Sequence, residues 1–313
     1  MSYKILKLLS KFFCMFSWNF CLTFGKILAN VALIFLPAKR KNLARKNIKA
    51  CLGTDDEETE RIMKKSSLQF GQIIMEVMYF AKLKDRMAEH VKVIGLENVT
   101  EYLKSPEGKG RGAVMMTGHC DNWELVGGAL AQNGIPLVGV AKKQKSEGAD
   151  KFIIEQRTLI GMHITYQRDV REMYRLMDEG KFIGLIMDQD VGRHDGVPVK
   201  FFNRATNYVT GAASMSRFKK VPIFPLFMHK NPDDTHTLEI FPPLYTERTK
   251  DKREDIRKMT QTLATLTEEH IRKYPDEWFW LHDRWKSMRV EFTPEEVENL
   301  NRELGIIPEE KSE

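Results

Sequence analysis

Hydrophobic positions along this chain alternate between short continuous runs and longer amphipathic stretches. Apolar runs of roughly four to eight residues predict buried strands, whereas apolar positions about 3.6 residues apart predict helices with one buried face. Strands are predicted at 113–117, 135–141, 162–166, 182–188, 223–229 and 237–241. Helices are predicted at 55–90, 122–132, 149–160, 169–179, 206–219 and 251–274. This alternation predicts an α/β fold with a mostly parallel central sheet flanked by helices.

The N-terminal region differs from the rest in composition. Residues 12–36 are mainly apolar and aromatic, with lysine and arginine residues on both sides. A helix of about 25 residues is roughly 37 Å long, enough to cross a bilayer with tilt, although Lys26 would be costly at mid-membrane. The basic flanks favour a segment associated with an anionic membrane surface, predicted at residues 1–38. Whether it spans the bilayer, lies on it or is a buried core helix stays open.

Composition indicates the number of domains, the kind of charged partner and the environment of the protein. No linker rich in Pro, Gly or Ser divides the 313 residues, so residues 39–313 are predicted to form one domain. The 49 Lys and Arg residues exceed the 43 Asp and Glu residues, and the net charge of +6 suits membrane lipid, an acidic carrier protein or nucleic acid. The four cysteines and eight histidines lack metal-ligand spacing, so we predict no metal and a reduced, cytoplasmic environment.

The most informative stretch is 117–124, Thr-Gly-His-Cys-Asp-Asn-Trp-Glu, between a predicted strand and a predicted helix. If Asp121 or Asn122 caps the helix, Glu124 lies in its first turn and can reach back to His119. A carboxylate that holds one imidazole tautomer leaves the other ring nitrogen able to take a proton from a nucleophile. Alternatively, Glu124 only stabilises the helix N-terminus. The spacing by itself does not decide between the two.

Two further positions bear on the chemistry. Asp188 and Gln189 end a predicted strand, at the carboxyl edge where α/β sheets gather their functional residues. They shape a substrate entrance, or else Asp188 caps the strand or pairs with Arg193. Cys120 is interpreted as structural, because a catalytic Cys–His pair usually comes from distant parts of a chain.

Several ordered stretches resemble one known family. Residues 118–125, Gly-His-Cys-Asp-Asn-Trp-Glu-Leu, look like the H-x4-[D/E] signature of glycerolipid-type acyltransferases. Their form is closest to the bacterial lipid A biosynthesis lauroyl/myristoyl acyltransferases. The likeness continues at 184–190, 196–202, 210–213, 221–225 and 271–286. Ordered blocks in one chain are more specific than the His/Glu spacing alone.

This resemblance implies transfer of a fatty acyl group from a thioester donor to a hydroxyl of a lipid A precursor glycolipid. His119 would be the general base, and Glu124 would orient and polarise it. Arg157 is the implied candidate for stabilising the oxyanion, unless it is a surface arginine on an amphipathic helix. The implied donor is an acyl carrier protein or acyl-CoA, with no cofactor beyond this acyl thioester and no nucleic acid partner. The implied location is the cytoplasmic face of the cell inner membrane.

The predicted substrate-binding residues lie around this proposed base. They are Asn122, Asp188, Gln189, Lys142 and Lys143. The two lysines, with Lys145, would form a basic rim for an acidic carrier protein, or else a solvated loop. Asn203 stands where the resembling family usually has glycine.

Two other functions remain open. One is a related acyltransferase that uses acyl-CoA and acts on another acceptor, such as a phosphoglycerol or a mannosylated lipid. The other is a non-catalytic basic protein that binds membranes or nucleic acid through residues 39–49. The ordered blocks favour the catalytic functions.

Overall fold

The computed structural model describes residues 2–308, which form fourteen α-helices, nine strands and a short 3-10 helix at Pro275–Glu277. The helices are α1 Tyr3–Phe13, α2 Trp18–Phe35, α3 Ala38–Leu52, α4 Asp56–Met78, α5 Phe80–Leu83, α6 Met87–His90, α7 Leu96–Lys104, α8 Val126–Gln132, α9 Glu147–Leu159, α10 Val170–Asp178, α11 Gly211–Lys219, α12 Lys252–Lys273, α13 Lys286–Val290 and α14 Pro294–Glu303. The strands are β1 Val91–Ile94, β2 Val114–Thr117, β3 Leu137–Ala141, β4 His163–Tyr166, β5 Phe182–Ile186, β6 Gly196–Phe201, β7 Arg204–Val209, β8 Ile223–Lys230 and β9 His236–Ile240.

Seven strands form the central sheet, in the order β1-β9-β8-β2-β5-β3-β4. Neighbouring strands run parallel except β8 and β9, which are antiparallel. All four residues of β2 are buried, as expected for an inner parallel strand covered on both faces. The predicted α/β architecture with a mostly parallel sheet is confirmed. Because β2 and β5 are parallel neighbours, their carboxyl ends lie side by side.

The six predicted strands all occur, but three others were missed. The helix predicted at 55–90 is wrong in its last part, because the chain breaks after α4 into two short helices and then enters β1. This strand lies at the sheet edge, and its sequence Val-Lys-Val-Ile lacks the continuous apolar run of an inner strand. An edge strand with one exposed side therefore carries a weaker hydrophobic signal.

The helix predicted at 206–219 is also wrong in its first part, because those residues belong to β7. Strands β6 and β7 form a separate antiparallel hairpin. Its two turn residues, Phe202 and Asn203, have φ angles of 51° and 52°, the left-handed conformation that two-residue hairpin turns require. Asparagine tolerates this conformation better than most side chains, which explains how Asn203 stands at a position suited to glycine.

The apolar N-terminal segment is two helices rather than one. Ser17 separates them and caps α2 by accepting a hydrogen bond from the Phe20 amide. Helix α2 packs tightly on α4 at two glycines: a Cβ placed on Gly25 would lie 2.6 Å from the carbonyl oxygen of Gly71. Lys26 points back to the protein and pairs with Asp234 at 3.5 Å. The segment therefore packs against the body of the protein, and the proposed boundary at residue 38 stays a prediction.

The two faces of the sheet carry separate apolar clusters. One cluster includes three tryptophans near the C-terminus, Trp278, Trp280 and Trp285, each almost fully buried. The other includes Leu125, Leu130 and buried residues of α5, α8 and the C-terminal end of α4. Buried aromatic rings hold the chain after α12 against the sheet. This brings residues 276–282 to the carboxyl edge where β2 and β5 end.

Candidate active site

The loop between β2 and α8, residues 118–125, is a fixed turn and not the start of a helix. Helix α8 begins only at Val126, so the prediction that Asp121 or Asn122 is its N-cap is wrong. The Asn122 side-chain oxygen instead accepts a hydrogen bond from the Glu124 amide, at 3.0 Å. The Asp121 amide donates to the carbonyl oxygen of Glu277, and Cys120 forms a backbone bridge with Trp278. We call residues 118–125 the His119 loop.

The carboxylate that contacts the His119 imidazole belongs to Asp188. His119 Nδ1 lies 2.7 Å from Asp188 Oδ1, and the His119 amide donates to Asp188 Oδ2 at 3.0 Å. The predicted pairing with Glu124 is therefore not the one present, because that side chain binds Arg157. Asp188 follows β5, the parallel neighbour of the strand that precedes His119. Adjacent strand ends bring together residues that are far apart in sequence.

Asp188 is held in the ionised form. Only 2% of its surface is exposed, and Oδ2 also accepts a hydrogen bond from Trp278 Nε1 at 2.7 Å. Burial alone would raise the pKa of this carboxyl, but the contacts with His119 and Trp278 hold the pKa of Asp188 well below its usual range. The neutral imidazole then keeps its proton on Nδ1, and Nε2 carries the free lone pair.

His119 Nε2 faces the more accessible side. The imidazole side chain is 18% exposed, and Nε2 lies 3.3 Å from Gln189 Nε2. The Trp123 ring meets the imidazole edge-on, with the ring centroids 4.7 Å apart. The structure thus places the predicted residue Gln189 beside the basic nitrogen of the imidazole.

Glu124 and Arg157 form a buried ion pair beside the His119 loop. Two parallel hydrogen bonds of 2.7 Å join the guanidinium to the carboxylate. Trp123 Nε1 donates to Glu124 Oε1 at 3.1 Å, so one indole contacts both this carboxylate and the His119 ring. A small apolar cavity of about 50 Å³ adjoins the pair, with Gly139 among its lining residues. The structure therefore brings Glu124 and Arg157 together near the predicted base.

The other predicted contacts lie in different environments. Asn122 is fully buried, and its amide nitrogen donates to Glu76, so it supports the turn and does not face an open substrate site. Lys142 and Lys143 are exposed in the segment after β3, at the same sheet edge as the His119 loop. The alternative pairing of Asp188 with Arg193 is wrong, since that arginine binds Glu296 at 2.6 Å.

A second histidine supports the His119 loop from inside the protein and was missed at the level of sequence. His236, at the start of β9, is fully buried between two carboxylates: Nδ1 contacts Asp121 and Nε2 contacts Glu76 at 3.1 Å. Burial alone disfavours its charged form, but Asp121 and Glu76 raise the pKa of His236 to about 10. Gln69 donates to the other Asp121 oxygen. These residues lie on three separated segments, so no spacing in the sequence indicates the cluster.

The geometry at Cys120 disfavours a thiol mechanism. Cys120 is buried, and burial raises the pKa of its thiol well above the usual value. A buried, neutral thiol is a poor nucleophile. Within residues 2–308, no group of three or more His, Cys, Asp or Glu side chains is arranged to hold a metal ion.

A histidine paired with a buried carboxylate at the carboxyl edge of a parallel sheet, with one ring nitrogen accessible, is typical of an enzyme that uses general-base catalysis. Residues 10–287 match the family described as bacterial lipid A biosynthesis acyltransferase, and the chain belongs to that family. The expectation of an acyltransferase enzyme is thereby confirmed. Family membership also supports acyl transfer to a glycolipid.

Relatives named for two kinds of acyltransferase activity are similar to this chain. A phosphatidylinositol mannoside acyltransferase of Mycolicibacterium smegmatis is 27% identical over 205 residues, which are 64% of this chain and 64% of that protein, just under two thirds of its length. A lipid A biosynthesis acyltransferase of Haemophilus influenzae is 26% identical over 264 residues, covering 82% of this chain and 80% of the relative. The crystal structure of a 1-acyl-sn-glycerophosphate acyltransferase from Thermotoga maritima covers 82% of this chain and 99% of its own, at 13% identity and a TM-score of 0.37.

Proposed function

We propose that this protein transfers a fatty acyl group from a thioester donor to a hydroxyl of a lipid A precursor glycolipid, with His119 as the general base. The observation that carries the proposal is the contact of His119 Nδ1 with the buried carboxylate of Asp188, which leaves Nε2 toward the accessible side. The activities for which the relatives are named supply the reaction class. A mannosylated phospholipid is the second candidate acceptor, because the mycolicibacterial relative bears that activity in its name.

Each step of the proposed reaction uses the same imidazole nitrogen. The acceptor hydroxyl donates its proton to His119 Nε2 while its oxygen attacks the thioester carbonyl. Asp188 stabilises the imidazolium that forms. The tetrahedral intermediate then collapses, the C–S bond breaks, and the thiolate takes the proton from Nε2. The acyl ester and the free thiol are the products, and the histidine returns to its neutral form.

The Glu124–Arg157 pair is our candidate for supporting the charge on the intermediate. A cation placed near the developing oxyanion lowers the barrier to acyl transfer. Glu124 holds the guanidinium bidentately, which orients it but also neutralises part of its charge. In this proposal Glu124 is a positioning residue that acts through Arg157 and Trp123.

We also propose that α1 and α2 attach the protein to an anionic membrane surface at the cytoplasmic face of the inner membrane. Their outward faces expose many large apolar side chains, including Leu8, Phe12, Ile27, Ile34 and Phe35. Among residues 2–308, α2 is one helix whose length and composition would allow it to cross a bilayer, a test that signal sequences and core helices also pass. Exposed apolar residues with basic flanks favour binding within the headgroup region.

An acyl carrier protein is the proposed donor. Lys142, Lys143 and Lys145 are exposed in the segment after β3, and Arg168 and Arg171 follow the neighbouring strand β4. Parallel strands place both segments at the sheet edge that carries the His119 loop. A basic rim would attract an acidic carrier protein, with an effect that salt weakens.

The test of the proposal is His119→Ala in the full chain reconstituted into anionic vesicles. Transfer of a radiolabelled acyl group is measured from carrier-protein and CoA thioesters to a lipid A precursor and to a mannosylated phospholipid. We expect kcat to fall by a factor of about 10²–10⁴ with little change in thermal stability. The control is His163→Ala, an exposed histidine at the start of β4, which should keep normal turnover. Near-normal turnover in His119→Ala would contradict the proposal.

A further inference from the structure

An apolar groove lies between the outer helices and the segment that follows the 3-10 helix. Its volume is about 600 Å³, within the roughly 300–1,000 Å³ range of small-molecule sites. Helix α2 contributes Leu28 and Ala32, and α4 contributes Phe70 and Ile74. Phe70 packs on Phe279 with ring centroids 5.0 Å apart, which forms the floor on one side. The groove is larger than the space beside Glu124 by an order of magnitude.

The inner end of this groove lies near the His119–Asp188 pair. His282 lines the groove, and its Nε2 accepts a hydrogen bond of 3.1 Å from the amide of Asp190, two residues after Asp188. Burial lowers the pKa of His282, and the charges of both Asp188 and His119 also act on it. The groove therefore ends at a residue that contacts the sheet edge where the proposed base lies.

The outer end opens on the apolar surface of α2. Leu28 is 45% exposed and Ile74 is 39% exposed, so the rim itself is apolar. One cation also lines the groove: Arg40, whose guanidinium contacts the Leu281 carbonyl oxygen at 3.4 Å and is otherwise exposed. A groove with an apolar wall and an arginine at its mouth matches an amphiphile with a hydrocarbon chain and an anionic headgroup.

We infer that this groove holds a fatty acyl chain already carried by the glycolipid acceptor, with Arg40 facing an anionic group of its head. The inference rests on the function proposed above and names the part of the substrate that the groove takes. The acceptor hydroxyl must reach His119 Nε2 while the lipid's chains stay out of water, because exposing hydrocarbon is unfavourable. A groove that joins the α2 surface to His282 provides that covered path.

A bulky side chain in the groove should impair the reaction of acylated acceptors but not that of acceptors without acyl chains. Ala32→Trp adds an indole to the groove wall, and Val31→Trp is the matched control, because Val31 is exposed and does not line the groove. We expect Ala32→Trp to raise KM for the acylated acceptor by about tenfold, equivalent to about 1.4 kcal/mol. It should leave kcat/KM unchanged for the same saccharide without acyl chains, and Val31→Trp should change neither. Equal losses with both acceptors would overturn the inference.

Donor thioesters test whether the acyl chain in the groove belongs to the acceptor or to the donor. Donor thioesters of increasing chain length are compared in wild type and in Ala32→Trp. We expect the donor KM to be unaffected at every length, whereas a defect that grows with donor length would place the donor's chain in the groove and overturn the inference. Arg40→Gln should weaken binding of the anionic acceptor, with Lys46→Gln, an exposed lysine of α3, as its control. Equal weakening in both variants would remove Arg40 from the site.

A binding experiment separates this inference from the proposed chemistry. An acceptor with a photoactivatable group in its acyl chain is irradiated with His119→Ala protein in vesicles. We expect labelled peptides from residues 67–74 and 279–282, and loss of that label in the His119→Ala protein that also carries Ala32→Trp. Labelling elsewhere only would overturn the groove assignment. Activity retained by His119→Ala would instead contradict the proposed base and leave the labelling result intact.

Discussion

Two histidines bind carboxylates at the His119 loop, and they differ in how accessible their ring nitrogens are. In the first, His119 uses one ring nitrogen to bind Asp188 and turns the other toward the accessible side. In the second, His236 uses both ring nitrogens to bind carboxylates and is fully buried. A base needs a free lone pair within reach of the substrate, whereas a fully engaged imidazolium is a fixed cross-link. Contact between a histidine and a carboxylate therefore does not by itself identify a catalytic base.

The contacts of His236 with Asp121 and Glu76, which we call the inner contact, also explain the shape of the loop. Asp121 has φ 45°, a conformation that side chains other than glycine adopt at a cost. His236 and Gln69 bind the two carboxylate oxygens of Asp121, and the carbonyl oxygen of Glu277 accepts a hydrogen bond from its backbone amide. Glu76, on α4, binds the other side of His236. Helix α4, which packs on α2, is thereby tied to the loop that presents His119.

The largest effect is expected from breaking the inner contact. His236→Gln removes the cation between two buried carboxylates, which should cost about 3–5 kcal/mol of unfolding free energy. The pKa of His236 is raised from 6.5 to about 10 in the folded protein. Its contribution to stability should be fully present below about pH 6.5 and lost as the pH rises through about 10. Denaturant unfolding of wild type and variant across this range measures the difference.

The control for His236 is His163→Gln, since His163 is exposed. It should change the unfolding free energy by less than about 0.5 kcal/mol at every pH. A His236→Gln protein as stable as wild type at pH 7 would mean that the inner cluster is not the cross-link described here.

The next largest effect is expected from weakening the contact between His119 and Asp188. Asp188→Asn keeps the shape of the side chain but removes the negative charge that stabilises the imidazolium. We expect kcat to fall on the order of 10², equivalent to about 2.7 kcal/mol, with KM for the acceptor nearly unchanged. Single-turnover acyl transfer measures the loss. Full activity in this variant would show that His119 does not depend on Asp188 during the reaction.

A smaller effect is expected from the ion pair beside the loop. Glu124→Gln should lower kcat by about tenfold, because it loosens Arg157 and leaves the imidazole contact intact. In a double-mutant cycle with Arg157→Lys, the two losses should not add, since the residues act as a unit. If Glu124→Gln loses more activity than Asp188→Asn, Glu124 and not Asp188 is the working partner of His119.

The smallest effect is expected at Cys120. Cys120→Ser should keep kcat within about threefold of wild type, because the buried thiol takes no part in the proposed transfer. A hydroxyl in this apolar position should cost about 1 kcal/mol of stability, which chemical denaturation can measure. The same acyl-transfer assay reports the activity, and complete inactivity of a folded Cys120→Ser protein would revive a thiol mechanism.

The sheet was predictable where its strands are buried on both faces. Strands β2, β3 and β5 lie inside a parallel sheet, so their sequences are short apolar runs that local reasoning detects. The edge strand β1 and the β6–β7 hairpin mix polar and apolar residues and were missed or predicted as helix. Asn203, a residue type that two-residue hairpin turns favour, was a local signal for the hairpin.

Sequence alone determined that His119 and Asp188 each lie close to the carboxyl end of a buried strand, because both positions depend on local hydrophobic patterns. Only the tertiary structure decided which carboxylate contacts the imidazole. Glu124 is five residues from His119, yet the shape of the loop directs it to Arg157. Asp188 is 69 residues away, yet the pairing of β2 with β5 brings it within 2.7 Å. Strand order and loop conformation are set by long-range packing, which no spacing within a single stretch of sequence encodes.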